Sequence, residues 1–137
     1  MQRHYLLYFA WMISILATVG SLFFSEVLHF PPCVLCWYQR VFMYPLPFLL
    51  TVGILMKDRF LPTYVLSIAP IGWLISVYHV LLYYKIIPDQ LAPCTLGVSC
   101  TTKYVEYFGF ITIPFLSFLS FSCIIVAMIV YKRGETR

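Results

Sequence analysis

Charged residues are scarce in this sequence, which contains nine Lys and Arg and five Asp and Glu among 137 residues. Ordinary globular chains are about 25% charged, whereas this chain is 10% charged and 62% hydrophobic. A soluble protein of this size could not cover its surface with so few polar side chains, so apolar side chains must face lipid. The basic residues are dispersed, and no phosphate-binding glycine loop or nucleic-acid module is present. The sequence therefore predicts a membrane protein with no nucleic-acid partner.

Four long runs of the sequence contain no charged residue, and each is a candidate membrane span. They cover residues 5–24, 41–56, 61–84 and 107–131. Three of them reach the roughly 20 residues that a helix needs to cross about 30 Å of hydrocarbon. We therefore expect an all-α membrane protein, in which a single domain over residues 1–137 forms a four-transmembrane-helix bundle.

Basic residues near the ends of these runs indicate the orientation of the bundle. With both termini on one side, that side carries the larger number of basic residues and should be cytoplasmic. The sequence therefore predicts that both termini are cytoplasmic and that residues 25–40 and 85–106 form extracytoplasmic outer loops. The basic residues of the richer side are Arg3, Lys57, Arg59, Lys132, Arg133 and Arg137. Those of the other side are Arg40, Lys85 and Lys103.

Four of the five cysteines fall in the two outer loops. Cys33 and Cys36 form a CxxC motif just before the second span, and Cys94 and Cys100 lie in the second outer loop. Thiols outside the cytoplasm tend to be oxidised, and a disulfide can persist there. Cys123 lies in the middle of the fourth span, where we expect it to be a small buried apolar residue.

The surroundings of the cysteines favour redox chemistry. Cys36 lies near the start of a helix and four residues before Arg40, on the same helical face. Both features predict a thiolate at Cys36, and the thiolate is the form that attacks a disulfide or an electrophilic ring. A disulfide between Cys94 and Cys100 would close a short, exposed ring, so it is expected to be labile and open to the thiolate of a partner.

His79 is predicted to lie near the outer interface, at the same depth as Arg40. An ionisable residue in a membrane segment is a functional candidate by default, so both side chains could border a cavity at the height of the CxxC motif. Trp37 and Tyr38 would make that region flat and apolar, which suits a planar lipid-soluble ring. Aromatic belts at the membrane interface have the same composition.

Two structural hypotheses remain open at this point. The four cysteines of the outer loops could bind zinc, although the gap between Cys94 and Cys100 exceeds the usual ligand spacing and an oxidising compartment disfavours thiolate ligands. We therefore expect no metal. Alternatively, both cysteine pairs could be static disulfides in a structural or accessory membrane protein.

The segment from Pro32 to Arg40, PCVLCWYQR, closely resembles the DsbB family of thiol:quinone oxidoreductases. The short C-x₅-C of the second outer loop and residues 109–115, GFITIPF, look most like the BdbC branch of Gram-positive bacteria. The vitamin K epoxide reductase type of four-helix quinone reductase has parts similar to those of this chain, but in a different order along the sequence. Its CxxC comes late in the chain, whereas Cys33 precedes the second span.

The resemblance implies a disulfide relay at the bacterial cell membrane. A thioredoxin-like thiol oxidase of DsbA or BdbD type would pass electrons to a Cys94–Cys100 disulfide, and these would move on to the Cys33–Cys36 pair. The protein would thereby support disulfide bond formation in secreted proteins. Enterobacterial members have a more widely separated second pair, so the order of the mixed disulfides is not carried over.

The same resemblance implies an electron acceptor in the membrane. Cys36 would pass electrons to a bound quinone, either menaquinone or ubiquinone. By similarity, Arg40 would bind and polarise this quinone, and His79 is expected to do so too. The chain carries no nucleotide or flavin motif, and quinone is the common acceptor that is soluble in a membrane.

Overall fold

The computed structural model of the chain describes residues 2–29, 33–88, 90 and 113–137. This part of the chain contains no β-strand, and its main elements are α-helices. The helices are α1 (Gln2–Leu22), α2 (Val34–Met43), α3 (Pro45–Met56), α4 (Leu61–Tyr83) and α5 (Ile113–Thr136). The predicted all-α fold is confirmed.

Four helical segments are long and apolar enough to cross a membrane. They are Arg3–Val27, Val34–Met56, Leu61–Tyr83 and Ile113–Thr136. The predicted number of membrane spans is thereby confirmed, and the chain is a multi-pass membrane protein. Its apolar side chains remain widely exposed on the outside of the bundle, as is required of a surface that contacts lipid.

The second span begins earlier than the uncharged run at residues 41–56. It is built from α2 and α3, which are joined at Tyr44. Pro45 starts α3, because proline lacks an N–H group and fits the first turn of a helix better than its interior. The early start places Cys36 and Arg40 inside the helical segment instead of in a loop before it.

Two contacts show that both chain ends lie at the same end of the bundle. Arg3 at the start of α1 donates a hydrogen bond from Nη1 to the carbonyl oxygen of Gly134 on α5, at 3.2 Å. Arg59, in the turn between α3 and α4, forms an ion pair with Glu135 at 3.3 Å. Cys33, which precedes α2, therefore lies at the opposite end from the termini.

The packing of α4 against α5 holds the centre of the bundle together. Phe121 of α5 is fully buried, and its ring lies directly against the backbone of Gly72 on α4. One position further on, the indole Nε1 of Trp73 donates a hydrogen bond to Ser122 Oγ at 2.9 Å. The close approach of the two helices depends on the missing side chain at Gly72, in the manner usual for membrane helices.

Candidate functional site

The CxxC motif lies at the beginning of α2. Cys33 is the N-cap residue, with an extended backbone, and its Sγ accepts a hydrogen bond from the backbone N–H of Cys36 at 3.4 Å. The two Sγ atoms lie 3.1 Å apart, and both thiols are free. Cys33 is buried, and Cys36 is partly exposed. A small movement of either side chain would bring the sulfur atoms to the bonding distance of about 2.0 Å.

The hydrogen bonds at the start of α2 favour a thiolate at Cys33. The pKa of the Cys33 thiol is lowered to about 4, mainly by the hydrogen bond from Cys36 and in part by the neighbouring His79, against the opposing effect of burial. The sequence predicted a thiolate at Cys36, and this stays a prediction. The N–H groups of the first helical turn point back towards the N-cap residue, so the helix terminus stabilises an anion at Cys33.

His79 of α4 lies against Cys33 from the other side. Its Nε2 is 3.7 Å from Cys33 Sγ, and its Nδ1 is 3.1 Å from the amide nitrogen of Gln39 on α2. Both polar side chains are buried, His79 with 2% and Gln39 with 6% of its surface exposed. The structure thus places His79 at the depth of the CxxC motif, while Gln39 was not identified from the sequence.

Arg40 is held between α1 and α2. Its Nη2 donates a hydrogen bond to the carbonyl oxygen of Ser21 at 3.1 Å, and its guanidinium carbon lies 5.3 Å from the centre of the Trp37 ring. Just beyond Ser21, α1 ends in a π-helical turn over Phe23–Val27. Such turns occur frequently at functional sites. Ser21 is a second contributor to the site that was not identified from the sequence.

An apolar cavity of about 280 Å³ lies beside the CxxC motif, between α1, α2 and α5. Its volume is close to the lower end of the roughly 300–1,000 Å³ that is typical of small-molecule sites. The polar side chains that line it from α2 and from the junction between α2 and α3 belong to Cys36, Gln39, Arg40 and Tyr44. His79 is absent from the lining among the described residues. Apolar lining residues include Ile13, Leu16, Ala17, Phe24, Ile113 and Leu116.

The structure brings three of the sequence-predicted site residues close together. Cys33, Cys36 and His79 each offer one donor atom, and these three atoms lie within 4.8 Å of one another. This is one fewer than the four ligands of a structural zinc site. Cys94 and Cys100 lie outside the described residues.

Comparison with known proteins identifies the family. The family model described as "Disulfide bond formation protein DsbB" matches residues 2–131. The chain belongs to the DsbB family. The probable disulfide formation protein C 1 of Bacillus anthracis is 45% identical over 135 residues, which cover 98% of this chain and 96% of that protein. Disulfide bond formation protein C of Bacillus subtilis (strain 168) is 43% identical over 136 residues, with the same two coverages.

Membership of the DsbB family confirms the resemblance that the CxxC motif indicated. A more distant relative, the probable disulfide formation protein C of Halalkalibacterium halodurans, is 39% identical and covers 92% of both chains. No solved structure matches the chain. The family supports the role of a disulfide-forming oxidoreductase in a membrane. The free thiols at the start of α2 are suited to that chemistry.

Proposed function

We propose that this DsbB-family protein is a thiol:quinone oxidoreductase that reoxidises an extracytoplasmic disulfide donor. The single observation that carries the proposal is the shared position of Cys36 and Arg40 in the wall of one apolar cavity. A thiol can transfer electrons to a ring only when the two are in contact. An apolar cavity between membrane helices is where a lipid-soluble ring would bind.

The lining of the cavity fits the headgroup of a quinone. Apolar side chains of α1 and α5 suit the flat ring, and the guanidinium of Arg40 supplies a fixed cationic donor for a carbonyl oxygen. A quinone bound there would supply the oxidant, taking up two electrons and two protons to become a quinol. Whether the natural acceptor is menaquinone or ubiquinone depends on the host membrane.

Cys33 and Cys36 have different tasks in this proposal. Cys36 faces the cavity and delivers the electrons, while Cys33 is buried behind it and forms the disulfide with it. Oxidation of the pair joins the two Sγ atoms and releases two electrons, together with the remaining thiol proton. The proximity of the sulfur atoms makes this closure a local movement. The prediction that His79 contacts the quinone stays a prediction, and its described contacts are with Cys33 and Gln39.

The upstream part of the proposal concerns the second cysteine pair. A thioredoxin-like partner of DsbA or BdbD type would reduce a disulfide between Cys94 and Cys100, and this pair would pass its electrons to Cys33–Cys36 by thiol–disulfide exchange. The exchange requires an extracytoplasmic location for the cysteines and cytoplasmic termini, in the cytoplasmic membrane of a bacterial cell. The excess of basic residues at the terminal end of the bundle supports this orientation.

Single-turnover oxidation tests the proposal. The purified protein is reduced, freed of reductant and mixed anaerobically with a water-soluble menaquinone analogue. We expect loss of the Cys33 and Cys36 thiols together with formation of quinol, and neither change in a Cys36→Ser variant. Equal quinol formation by Cys36→Ser would contradict the proposal. A Cys123→Ser variant is the matched control, because that thiol lies on α5 and is not among the described residues that line the cavity.

The competing hypothesis is a structural membrane protein with static disulfides or zinc. The proximity of the Cys33 and Cys36 Sγ atoms, at 3.1 Å, and the adjoining cavity favour redox cycling instead. Thiol trapping in cells separates the two hypotheses, because a cycling pair changes its redox state when respiration is blocked. Stoichiometric zinc in the purified protein, or cysteine pairs that never change state, would favour the structural role.

A further inference from the structure

Three side chains that can bind a metal ion meet where α2 begins. The Sγ of Cys33 lies 3.1 Å from the Sγ of Cys36 and 3.7 Å from the Nε2 of His79, and all three atoms lie within 4.8 Å of one another. In a tetrahedral zinc site, bonds of about 2.3 Å to sulfur and about 2.0 Å to nitrogen place neighbouring ligand atoms about 3.5–3.8 Å apart. Small side-chain movements would therefore give the three atoms the spacing of metal ligands.

The chemistry of the three groups selects a soft cation. Two thiolates and an imidazole form a ligand set that is typical of zinc and other ions with a filled d shell. A divalent ion bound to two thiolates and a neutral imidazole carries no net charge. Neutrality matters here because Cys33 and His79 expose only 5% and 2% of their surface, and an uncompensated charge is costly at a buried position in a membrane protein.

Gln39 is placed to support His79 as a ligand. A metal-bound histidine usually donates its other ring N–H to a neighbouring group, which fixes the orientation of the ring. The Gln39 side chain is 6% exposed, and the end of its amide lies 3.1 Å from the Nδ1 of His79. An amide carries both an oxygen and a nitrogen at its end and can present either of them. It can therefore accept a proton from Nδ1 while the lone pair of Nε2 binds the ion.

The fourth position of such a site is open towards the cavity. Among the described residues, no further His, Cys, Asp or Glu joins the group of three. Cys36 and Gln39 also line the cavity, which provides room for a water molecule as the fourth ligand. Structural zinc sites are closed by four protein ligands, whereas open sites have three. The geometry therefore favours exchangeable binding of the ion.

We propose that the reduced Cys33–Cys36 pair and His79 form a reversible inhibitory site for a soft divalent cation of the zinc and cadmium type. On binding, each thiol loses its proton to water and forms a bond between sulfur and the metal, and no electrons are transferred. The ion then occupies both sulfur atoms, so the disulfide cannot form until the ion is removed. Binding of the ion is independent of the electron acceptor, and only its inhibitory effect rests on the proposed function.

Protection of each thiol from alkylation tests the site in the unaltered, full-length protein. Reduced protein in detergent is freed of reductant and treated with iodoacetamide, with and without micromolar cadmium, and the label on each cysteine is quantified by mass spectrometry. We expect cadmium to slow the labelling of Cys33 and Cys36 about tenfold or more, because the free thiolate is the reactive form. Cys123 on α5 is the internal control, since it lies outside the group of three. Unchanged labelling of Cys33 and Cys36 would overturn the proposal.

Substitutions test the contribution of the imidazole. Gln39→Met should weaken cadmium binding roughly 10–100-fold, because loss of a group that orients a ligand has an effect of that size. His79→Phe removes the ligand itself and should weaken binding further. His4→Phe is the matched control, because His4 is exposed on α1 at the other end of the bundle. Unchanged cadmium affinity in a folded His79→Phe variant would overturn the proposal.

X-ray absorption spectroscopy of bound zinc decides the ligand set where a substituted protein does not fold. A full-length protein with serine in place of Cys94, Cys100 and Cys123 retains Cys33 and Cys36 as its two thiols. After reduction it should bind one zinc ion through two sulfur atoms and an imidazole nitrogen, and after oxidation it should bind none. Coordination without imidazole, or equal binding by the oxidised protein, would overturn the proposal.

The inhibitory effect is measured in the single-turnover reaction with the quinone analogue. Zinc added to the reduced protein should stop quinol formation, and a chelator should restore it. Unchanged quinol formation with the ion bound would overturn the inhibitory role. The binding tests contain neither quinone nor a protein partner, so their failure is distinguishable from failure of the proposed function, which the zinc-free reaction tests.

Discussion

Arg40 on α2 donates a hydrogen bond from Nη2 to the backbone carbonyl oxygen of Ser21 on α1, at 3.1 Å. The hydroxyl of Ser25 donates to the same oxygen at 3.2 Å, just where α1 changes into its π-helical turn. Because one N–H group of Arg40 is fixed on the protein, the guanidinium is held in a defined orientation at the cavity wall. A fixed cation costs little reorganisation when it contacts a carbonyl oxygen.

This arrangement predicts that Arg40→Met weakens the use of quinone. The KM for a quinone analogue should rise about tenfold or more, because a hydrogen bond to a charged group contributes about 1.5–3 kcal/mol. Steady-state quinone reduction measures the effect. Arg59→Met is the matched control, since Arg59 pairs with Glu135 at the opposite end of the bundle. An equal rise of KM in both variants would refute a specific role for Arg40.

Filling the cavity should block electron transfer without unfolding the bundle. A Cβ atom at Gly20 meets no other atom within 4 Å, and Gly20 lines the cavity. We expect Gly20→Phe to fold and to lose quinone reduction, because the ring occupies the space beside Cys36. The control is Val19→Phe, since Val19 is 57% exposed on the outside of α1. Normal activity of a folded Gly20→Phe variant would show that the acceptor binds elsewhere.

The reduction potential of the Cys33–Cys36 pair should depend on His79. A donor that stabilises the Cys33 thiolate stabilises the reduced form, which makes the disulfide more oxidising. The His79→Phe variant should therefore have a potential more negative by about 30 mV, which corresponds to about 1.4 kcal/mol. Equilibration with glutathione followed by thiol alkylation measures it. His4→Phe should leave the potential unchanged, because His4 is exposed on α1 at the other end of the bundle.

The helical architecture could be predicted from the sequence because charge-free runs are a strong signal of membrane spans. The start of α2 could not be predicted in this way, because the charge of Arg40 limits the uncharged run to residues 41–56. In the structure, the Ser21 carbonyl and the Trp37 ring accommodate this charge. A contact between residues of two different helices leaves no local trace in the sequence.

The positions of the site residues along the membrane could be predicted from the sequence, but the contacts between residues of different helices could not. The CxxC motif and Arg40 share one segment, whereas the contact between Gln39 and His79 joins α2 to α4. One signal for Gln39 does exist. The buried residues of α2 are Leu35, Gln39 and Met43, which have the spacing of one helical face. A glutamine on an otherwise apolar stripe requires a buried hydrogen-bond partner.

Packing between α4 and α5 provides a prediction about stability. A Cβ atom at Gly72 would collide with the Phe121 ring, which is fully buried, so the ring or the helices would have to shift. Gly72→Ala should therefore lower the free energy of unfolding by about 1–3 kcal/mol. Thermal unfolding in detergent measures this effect. Gly20→Ala is the control, because its Cβ points into open space. Equal stability of the two variants would contradict the close approach of the helices.

The central claim is that electrons flow from a thioredoxin-like dithiol through the cysteines of this chain to quinone. The most direct measurement is the stoichiometry of the complete reaction, with purified protein, a reduced partner of the DsbA or BdbD type and a quinone analogue. We predict one quinol formed for each partner disulfide formed, and no turnover in Cys36→Ser or Cys100→Ser variants. Quinol formation that continues without Cys36, or partner oxidation without quinol, would contradict the claim.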